Sequence, residues 1–315
     1  MTPAPDAPTR IVSVIVPVYN DPRLPDCLDA LARQALPDGW RLETVVVDNG
    51  SDEPVSRLGA MWPDVTFVLE TKRGSYAARN TGLTVTMGEV VAFTDSDCRP
   101  ARDWLLVALG RLTDDASLAA VAGRVLTVFP TGRPTTAPGW WDKLEAFPQQ
   151  KYVANGYGVT ANLIVLREAG AAVGWFDASF VSGGDADFGQ RLTASGRVLA
   201  YEDDAVVAHP ARTTWPELLA KARRTAQGRA RMEHLRGRGV LGYVVSTYSS
   251  LVQLGLVLRR SVTHAELDGL RSRVQYLTAG VTLRVFWFAE VCRWRVHYHR
   301  QDARRRVETA TGMAR

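Results

Sequence analysis

The sequence predicts an α/β fold: a Rossmann-like mixed sheet flanked by helices, followed by a mainly helical C-terminal tail. Three observations predict it. Apolar, β-branched runs alternate with helical runs from residue 11 onward. The connections between them are short. Beyond about residue 215 the strand pattern gives way to basic and then apolar helical stretches.

The elements follow in order. Ile11–Tyr19 (IVSVIVPVY) reads as a buried strand because both of its faces are apolar. Pro22–Ala35 reads as a helix with Leu24, Cys27, Leu28 and Leu31 on one face. Leu42–Asp48 is a second strand, and NGSDEP after it is a turn. Val65–Glu70 is a third strand and Ser75–Thr86 a helix. EVVAFTD is the fourth strand, with RDWLLVALGRL as the helix after it. Leu118–Val125 reads as a fifth strand.

The rhythm then breaks. Residues 129–150 are rich in Pro, Gly, Thr and aromatics, and read as a long functional loop. Trp140 and Trp141 in it suit either an acceptor-binding wall or burial against the core. GWFDASFVSGGDADFGQRLTASG reads as loop into helix, with Asp185 near the cap and Asp187 in the first turn. RVLAYEDDAVVAHP reads as one or two short strands ending near His209. Pro216–Arg238 reads as a basic helix.

Charge divides the chain. Residues 1–200 carry 18 Lys or Arg against 23 Asp or Glu, whereas residues 201–315 carry 20 against 10. An anionic partner or surface is therefore to be sought at the tail. Val240–Leu258 is uncharged, and a second apolar stretch, Tyr276–Ala289, is interrupted by Arg284. Packed helices, contact with a membrane surface and a membrane span all remain open readings of this region. The N-terminus is Pro-rich and polar and does not read as a signal peptide. Three scattered cysteines indicate neither a disulfide framework nor a thiolate metal site. The expected location is the cytoplasm, with peripheral contact at the inner face of the cell membrane as an extension of that reading.

The chemistry gathers at strand tips. Asp48 and Asp95 each end a predicted strand, and Asp97 follows two residues later. In open α/β sheets, ligands bind beyond the carboxyl ends of the strands. Neighbouring carboxylates repel unless a cation or donor compensates them. No phosphate-binding G-x-x-x-x-G-K-S/T loop is present, and no G-x-G-x-x-G follows the first strand. Nucleic-acid binding would rest on the basic tail alone.

The segments VSVIVPVYN, VVVDNGS, GSYAARNTG, VAFTDSD and GGDADFGQRL, in that order, resemble a family 2 glycosyltransferase of the GT-A fold. The likeness runs from about residue 11 to residue 210. It implies an inverting transfer of a sugar from a nucleoside diphosphate sugar, a UDP-sugar being expected, to an acceptor hydroxyl. It implies a nucleotide pocket lined by Pro17, Tyr19 and Asn20, with Asp48 on the base. Arg79 and Asn80 would stand beside the diphosphate and sugar, and Asp95 would reach the ribose or donor sugar. Asp97, with His209, would ligate Mn2+ or Mg2+. Asp185 would be the general base, although Gly184 stands where a glutamate is common. Asp187 and Arg191 are expected to pair along one helical face.

The expected organisation is a flexible N-terminus (1–10), a nucleotide-sugar-binding half (11–125), an acceptor-binding and catalytic half (126–215) and a basic helical extension (216–315). The acceptor is left open, with a lipid-linked sugar or cell-envelope glycan favoured. A sugar-phosphate nucleotidyltransferase and a noncatalytic nucleotide-sugar-binding protein are the alternatives.

Overall fold

The computed structural model describes residues 10–237 and 240–310, with side chains described for 10–237 and 252–302. The expected flexible N-terminus thus lies almost wholly outside the described residues. The first elements are β1 (Arg10–Val18), α1 (Leu24–Ala32), β2 (Trp40–Asp48), β3 (Val65–Leu69), α2 (Ser75–Val85), β4 (Val90–Phe93) and β5 (Arg99–Pro100). Next come α3 (Trp104–Asp114), β6 (Leu118–Val128), α4 (Ala137–Glu145), α5 (Gln149–Ala154), β7 (Leu163–Leu166) and α6 (Arg167–Ala172). The chain continues through α7 (Gly184–Ala194), β8 (Val198–Pro210), α8 (Trp215–Leu235), α9 (Val240–Thr263) and α10 (Leu270–Ala310).

One compact unit takes the chain as far as Val128, then Phe147–Ser179 and Gly184–Pro210. It holds an eight-stranded mixed sheet in the order β3-β2-β1-β4-β7-β6-β8-β5. β3, β2, β1 and β4 run parallel. β1 and β4 are buried on both faces, which is why both read as continuous apolar runs. α1 buries the face formed by Leu24, Cys27, Leu28 and Leu31, as its periodicity predicts.

Register decides what meets at the rim. Val18 pairs with Asp48, and Ile15 pairs with Phe93. The carboxyl ends of β1, β2 and β4 therefore share one edge, and Asp48 and Asp95 both emerge there. On the other side of the sheet, β5 pairs antiparallel with β8, Arg99 facing Ala208. That two-residue ladder sets Cys98 level with His209 and brings the end of β8 to the loop after β4.

The sequence reading needs correction in one segment. Residues 129–150 are not a structureless loop, because α4 lies within them. Thr136 accepts the Gly139 N–H at 3.1 Å, and Pro138 sits in the first turn, where its missing N–H breaks no helical bond.

The second unit comprises Phe129–Ala146, Phe180–Gly183 and the chain from Ala211. Here Trp141 stacks on Tyr276 with ring centroids 5.6 Å apart, so this tryptophan packs between helices. Asp142 is fully buried and accepts the Arg212 N–H at 2.9 Å. The Arg212 and Lys221 side chains lie 3.4 and 3.6 Å from its carboxylate, which compensates a charge that burial would otherwise penalise. Among the described residues no helix is long and apolar enough to cross a membrane.

Candidate functional site

The first unit gathers an acidic cluster at the rim. The ligand atoms of Asp95, Asp97, Cys98 and His209 all lie within 4.8 Å of one another. Asp97 Oδ2 is 3.6 Å from His209 Nε2 and 3.5 Å from the Arg23 guanidinium. Burial pushes the Asp97 carboxyl up. The nearby His209 pulls it down, the like charge of Asp95 pushes it up further, and the rise prevails. A group in that condition gains from an added cation.

His209 presents one ring nitrogen to the cluster. Its Nδ1 lies 2.8 Å from the Pro210 carbonyl, to which an Nδ1–H donates. That bond puts the Nδ1 proton on the carbonyl side and turns Nε2 toward Asp97. The ring packs against Phe147 at 4.6 Å between centroids. Without a cation the Cys98 thiol keeps its proton, because burial raises it well above the ordinary value, and its Sγ donates to Asp97 Oδ1 at 3.7 Å. The remaining carboxylate oxygens and imidazole suit Mn2+ or Mg2+.

Asp95 is engaged from the other side. The Arg79 guanidinium, on α2, forms a close ion pair with Asp95 Oδ1. Arg79 is 3% exposed, and its Nε has no hydrogen-bond partner. Asn80 next to it is turned elsewhere. It donates to the Phe176 carbonyl at 2.7 Å and accepts the Phe176 N–H at 3.3 Å, clamping the segment before α7.

The expected nucleotide pocket is built from β1, β2 and the turn after them. Pro17 is buried in β1, whereas Tyr19 is exposed and carries the Arg73 guanidinium 4.2 Å above its ring. Asn20 takes a positive φ of 48° and exchanges hydrogen bonds with Asp52 at 2.9 Å in each direction. Asp48 is buried, and its two oxygens accept the Ser51 and Val55 N–H groups at 2.8 and 3.2 Å. The turn is thus fixed before any ligand arrives, and a carboxylate retains lone pairs for a further donor.

Asp185, expected near the cap, occupies the first turn of α7 together with Asp187. Its Oδ1 accepts the Ala186 N–H at 2.9 Å and the Tyr76 hydroxyl at 3.3 Å. Burial raises its carboxyl, with Ala186, Arg79 and Tyr76 opposing the rise. Asp187 pairs with Arg191 at 2.9 Å. Arg191 also holds the Gly174 and Trp175 carbonyls, both at 2.6 Å, so this pair braces the loop before α7.

Sequence reading missed Arg23 and Tyr76. Arg23 stands just beyond β1, on the edge where the acidic residues emerge, and that position was its signal. Tyr76 lies inside the quoted GSYAARNTG segment, but only the fold brings it to Asp185, 109 residues away.

Comparison with known proteins matches residues 13–169 to glycosyl transferase family 2. The chain is 33% identical over 224 residues to the glycosyltransferase AglE of Haloferax volcanii, covering 69% of this chain and 72% of that protein. It is 33% identical over 222 residues to the pre-mycofactocin glycosyltransferase of Mycobacterium tuberculosis, covering 67% of this chain and 45% of that longer protein. In structure it is similar to the mannosyltransferase PcManGT from Pyrobaculum calidifontis, solved in complex with GDP-Man and Mn2+. That likeness has a TM-score of 0.61 at 23% identity, covering 90% of this chain and 86% of the other.

Proposed function

Because the chain belongs to glycosyl transferase family 2, we propose that it moves a sugar from a nucleoside diphosphate sugar to an acceptor hydroxyl, with inversion at the anomeric carbon. The observation that carries this reading is the meeting of Asp95, Asp97 and His209 at one rim of the sheet. The likeness in fold to PcManGT, solved in complex with GDP-Man and Mn2+, supports the same reading.

The residues divide the work. Asp97 and His209 are assigned to hold a divalent cation. There it would supply positive charge to the diphosphate as the glycosidic bond breaks. Asp48 is assigned to the base, Pro17, Tyr19 and Asn20 to the rest of the nucleotide pocket, and Asp95 to the ribose or donor sugar. Asp185 takes the proton of the acceptor hydroxyl. The acceptor oxygen bonds to the anomeric carbon, and the leaving diphosphate oxygen keeps the electron pair of the broken bond. Arg79 holds Asp95 in place from the protein side. Asn80 positions Phe176, and so the approach to α7.

We assign donor binding to residues 11–125, acceptor binding and catalysis to 126–215, and a separate role to the basic extension. Leu270, Val274, Val281 and Val285 are exposed along α10, at spacings that keep them on one side of the helix. Together with the basic character of the tail they support contact with an anionic membrane surface and a lipid-linked acceptor.

The test is a panel of UDP- and GDP-sugars with Mn2+, read by released nucleoside diphosphate with and without EDTA. A UDP-sugar is the expected donor. Absence of release from every donor in the panel, or release unchanged by Asp185→Asn, overturns the reading.

A further inference from the structure

We infer that Tyr76 is a positioning residue for the general base: its hydroxyl orients the Asp185 carboxylate, and Gly184 is kept small to admit its ring. This rests on the assignment of Asp185 as base. The geometry around that carboxylate is asymmetric. Both of its hydrogen bonds, from the Ala186 N–H at 2.9 Å and the Tyr76 hydroxyl at 3.3 Å, fall on Oδ1. No hydrogen bond falls on Oδ2 among the described residues. The carboxylate is therefore tethered by one oxygen and offers the other to an acceptor hydroxyl.

The tether is rigid because its ring is. Tyr76 is 5% exposed and lies on α2, whose first turn begins after Gly74 at a φ of 127°. The ring packs on Phe176 at 5.6 Å between centroids, and the Arg79 guanidinium sits 5.7 Å from its centre. Phe176 in turn packs on Phe93 of β4 at 5.1 Å and on Phe188 of α7 at 4.9 Å. The hydroxyl is thus referred to the sheet and to α7 at once.

Gly184 supplies the second, independent observation. A Cβ at this position would lie 2.8 to 2.9 Å from three atoms of the Tyr76 ring. The clash is with a buried ring that cannot swing away, not with the loose end of a flexible chain. The place where a side chain at 184 would begin is filled by Tyr76. This accounts for the missing second carboxylate noted in the sequence: a neutral donor stands there instead. It also fits the need of the site. A glutamate beside Asp185 would repel its ionised form, whereas a hydroxyl donor favours that form.

The charged and titratable groups facing Asp185 are Tyr76 and Arg79, both from α2. Asp187 on its own helix is held by Arg191. The Tyr76 hydroxyl remains protonated throughout the working range, since burial raises it far above the ordinary phenol value. It acts as a permanent donor and takes no proton itself.

The experiment is the pH dependence of kcat for Tyr76→Phe, which keeps the ring and removes only the hydroxyl. Loss of one hydrogen bond to a carboxylate lowers kcat at neutral pH about three- to tenfold. The acid limb of the profile moves to higher pH, and KM for the donor stays near the parent value. Gly184→Ala gives a similar loss, and Tyr76→Ala in the same chain relieves part of the strain, so the two effects are not additive. A Tyr76→Phe enzyme with the parent kcat and acid limb overturns the proposal. So does full additivity of Gly184→Ala with Tyr76→Ala. Asp185→Asn, measured alongside, separates the two readings. If it is inactive while Tyr76→Phe behaves as the parent, only the positioning role falls. If it is active, the base assignment itself falls.

Discussion

Arg79→Met tests how much the rim depends on its one buried cation. The guanidinium is 3% exposed, and its partner Asp95 is 34% exposed. Exposed ion pairs contribute about 0.2–1 kcal/mol. Stripping one partner from a fully buried pair costs about 3–5 kcal/mol. This pair lies between those limits, with one member buried and the other open to water over a third of its side chain. The unpartnered Nε acts in the opposite sense, because the substitution also removes a desolvated donor. The net loss is about 2 kcal/mol. At about 2–4 °C per kcal/mol for a unit of this size, Tm falls by about 4–8 °C. Thermal unfolding by circular dichroism reads it. Arg79→Lys recovers part of the loss, since it restores the charge without the planar fork. A Tm for Arg79→Met within about 1 °C of the parent refutes the reasoning, because the pair would then contribute no more than a surface contact.

Three further outcomes are expected. Burial raises the Asp185 carboxyl, so the acid limb of the kcat–pH profile lies above the ordinary aspartate value of about 3.9; a limb at that value would contradict it. The linked stability runs the opposite way to that of a salt-bridged aspartate: the contribution is present at acid pH and is lost as pH rises through the raised folded value. Gly123→Val destabilises by about 1–3 kcal/mol in urea titration, because a Cβ there would fall on the Ala205 carbonyl oxygen and within 2.7 Å of the Asn162 amide; an unchanged midpoint would show that the bulge can shift. Glu217→Ala lowers stability by about 1 kcal/mol, since its carboxylate accepts the Thr213 and Thr214 N–H groups at 3.2 and 3.0 Å at the start of α8; the readout is Tm, and no change would contradict it.

What was legible in the sequence follows from what burial does to residue choice. β1 and β4 are covered on both faces, so they had to be continuous apolar runs, and their ends could be located to within two residues. The helix at Asp185 was legible because its first turn carries the acidic residues that a helix N-terminus favours. The misreading of 129–150 has a local cause. Pro138 and Gly139 count against a helix by propensity, yet at the first turn they do no harm. β8 was blurred because its middle, Glu202 to Asp204, is polar and lies where the register with β6 shifts. β5 has two residues and no periodicity to detect. Asn80 was read toward the donor from its neighbours in the AARN segment. Its side chain instead faces Phe176, 96 residues away, which no local pattern records.

The two ends of the proposed site depend on different structural devices, and this decides how the site fails. Asp97 and His209 meet because the short β5–β8 ladder sets Cys98 level with His209, and because the Pro210 carbonyl anchors Nδ1 and turns Nε2 toward Asp97. Asp185 is set by α7 against the Tyr76 ring of α2, with Gly184 leaving the room. No hydrogen bond or ion pair joins Asp185 to Asp97 or His209 among the described residues. On the proposed assignments, a change at Tyr76 or Gly184 is therefore expected to alter proton removal and leave cation binding in place, and a change at His209 to do the reverse. Two supports are shared: the Phe93 ring carries Phe176 beneath Tyr76 while its strand runs on toward Asp95, and Arg79 of α2 pairs with Asp95 and sits 5.7 Å from the centre of the Tyr76 ring. A change at Phe93 or Arg79 is therefore expected to disturb the proposed donor and acceptor ends together.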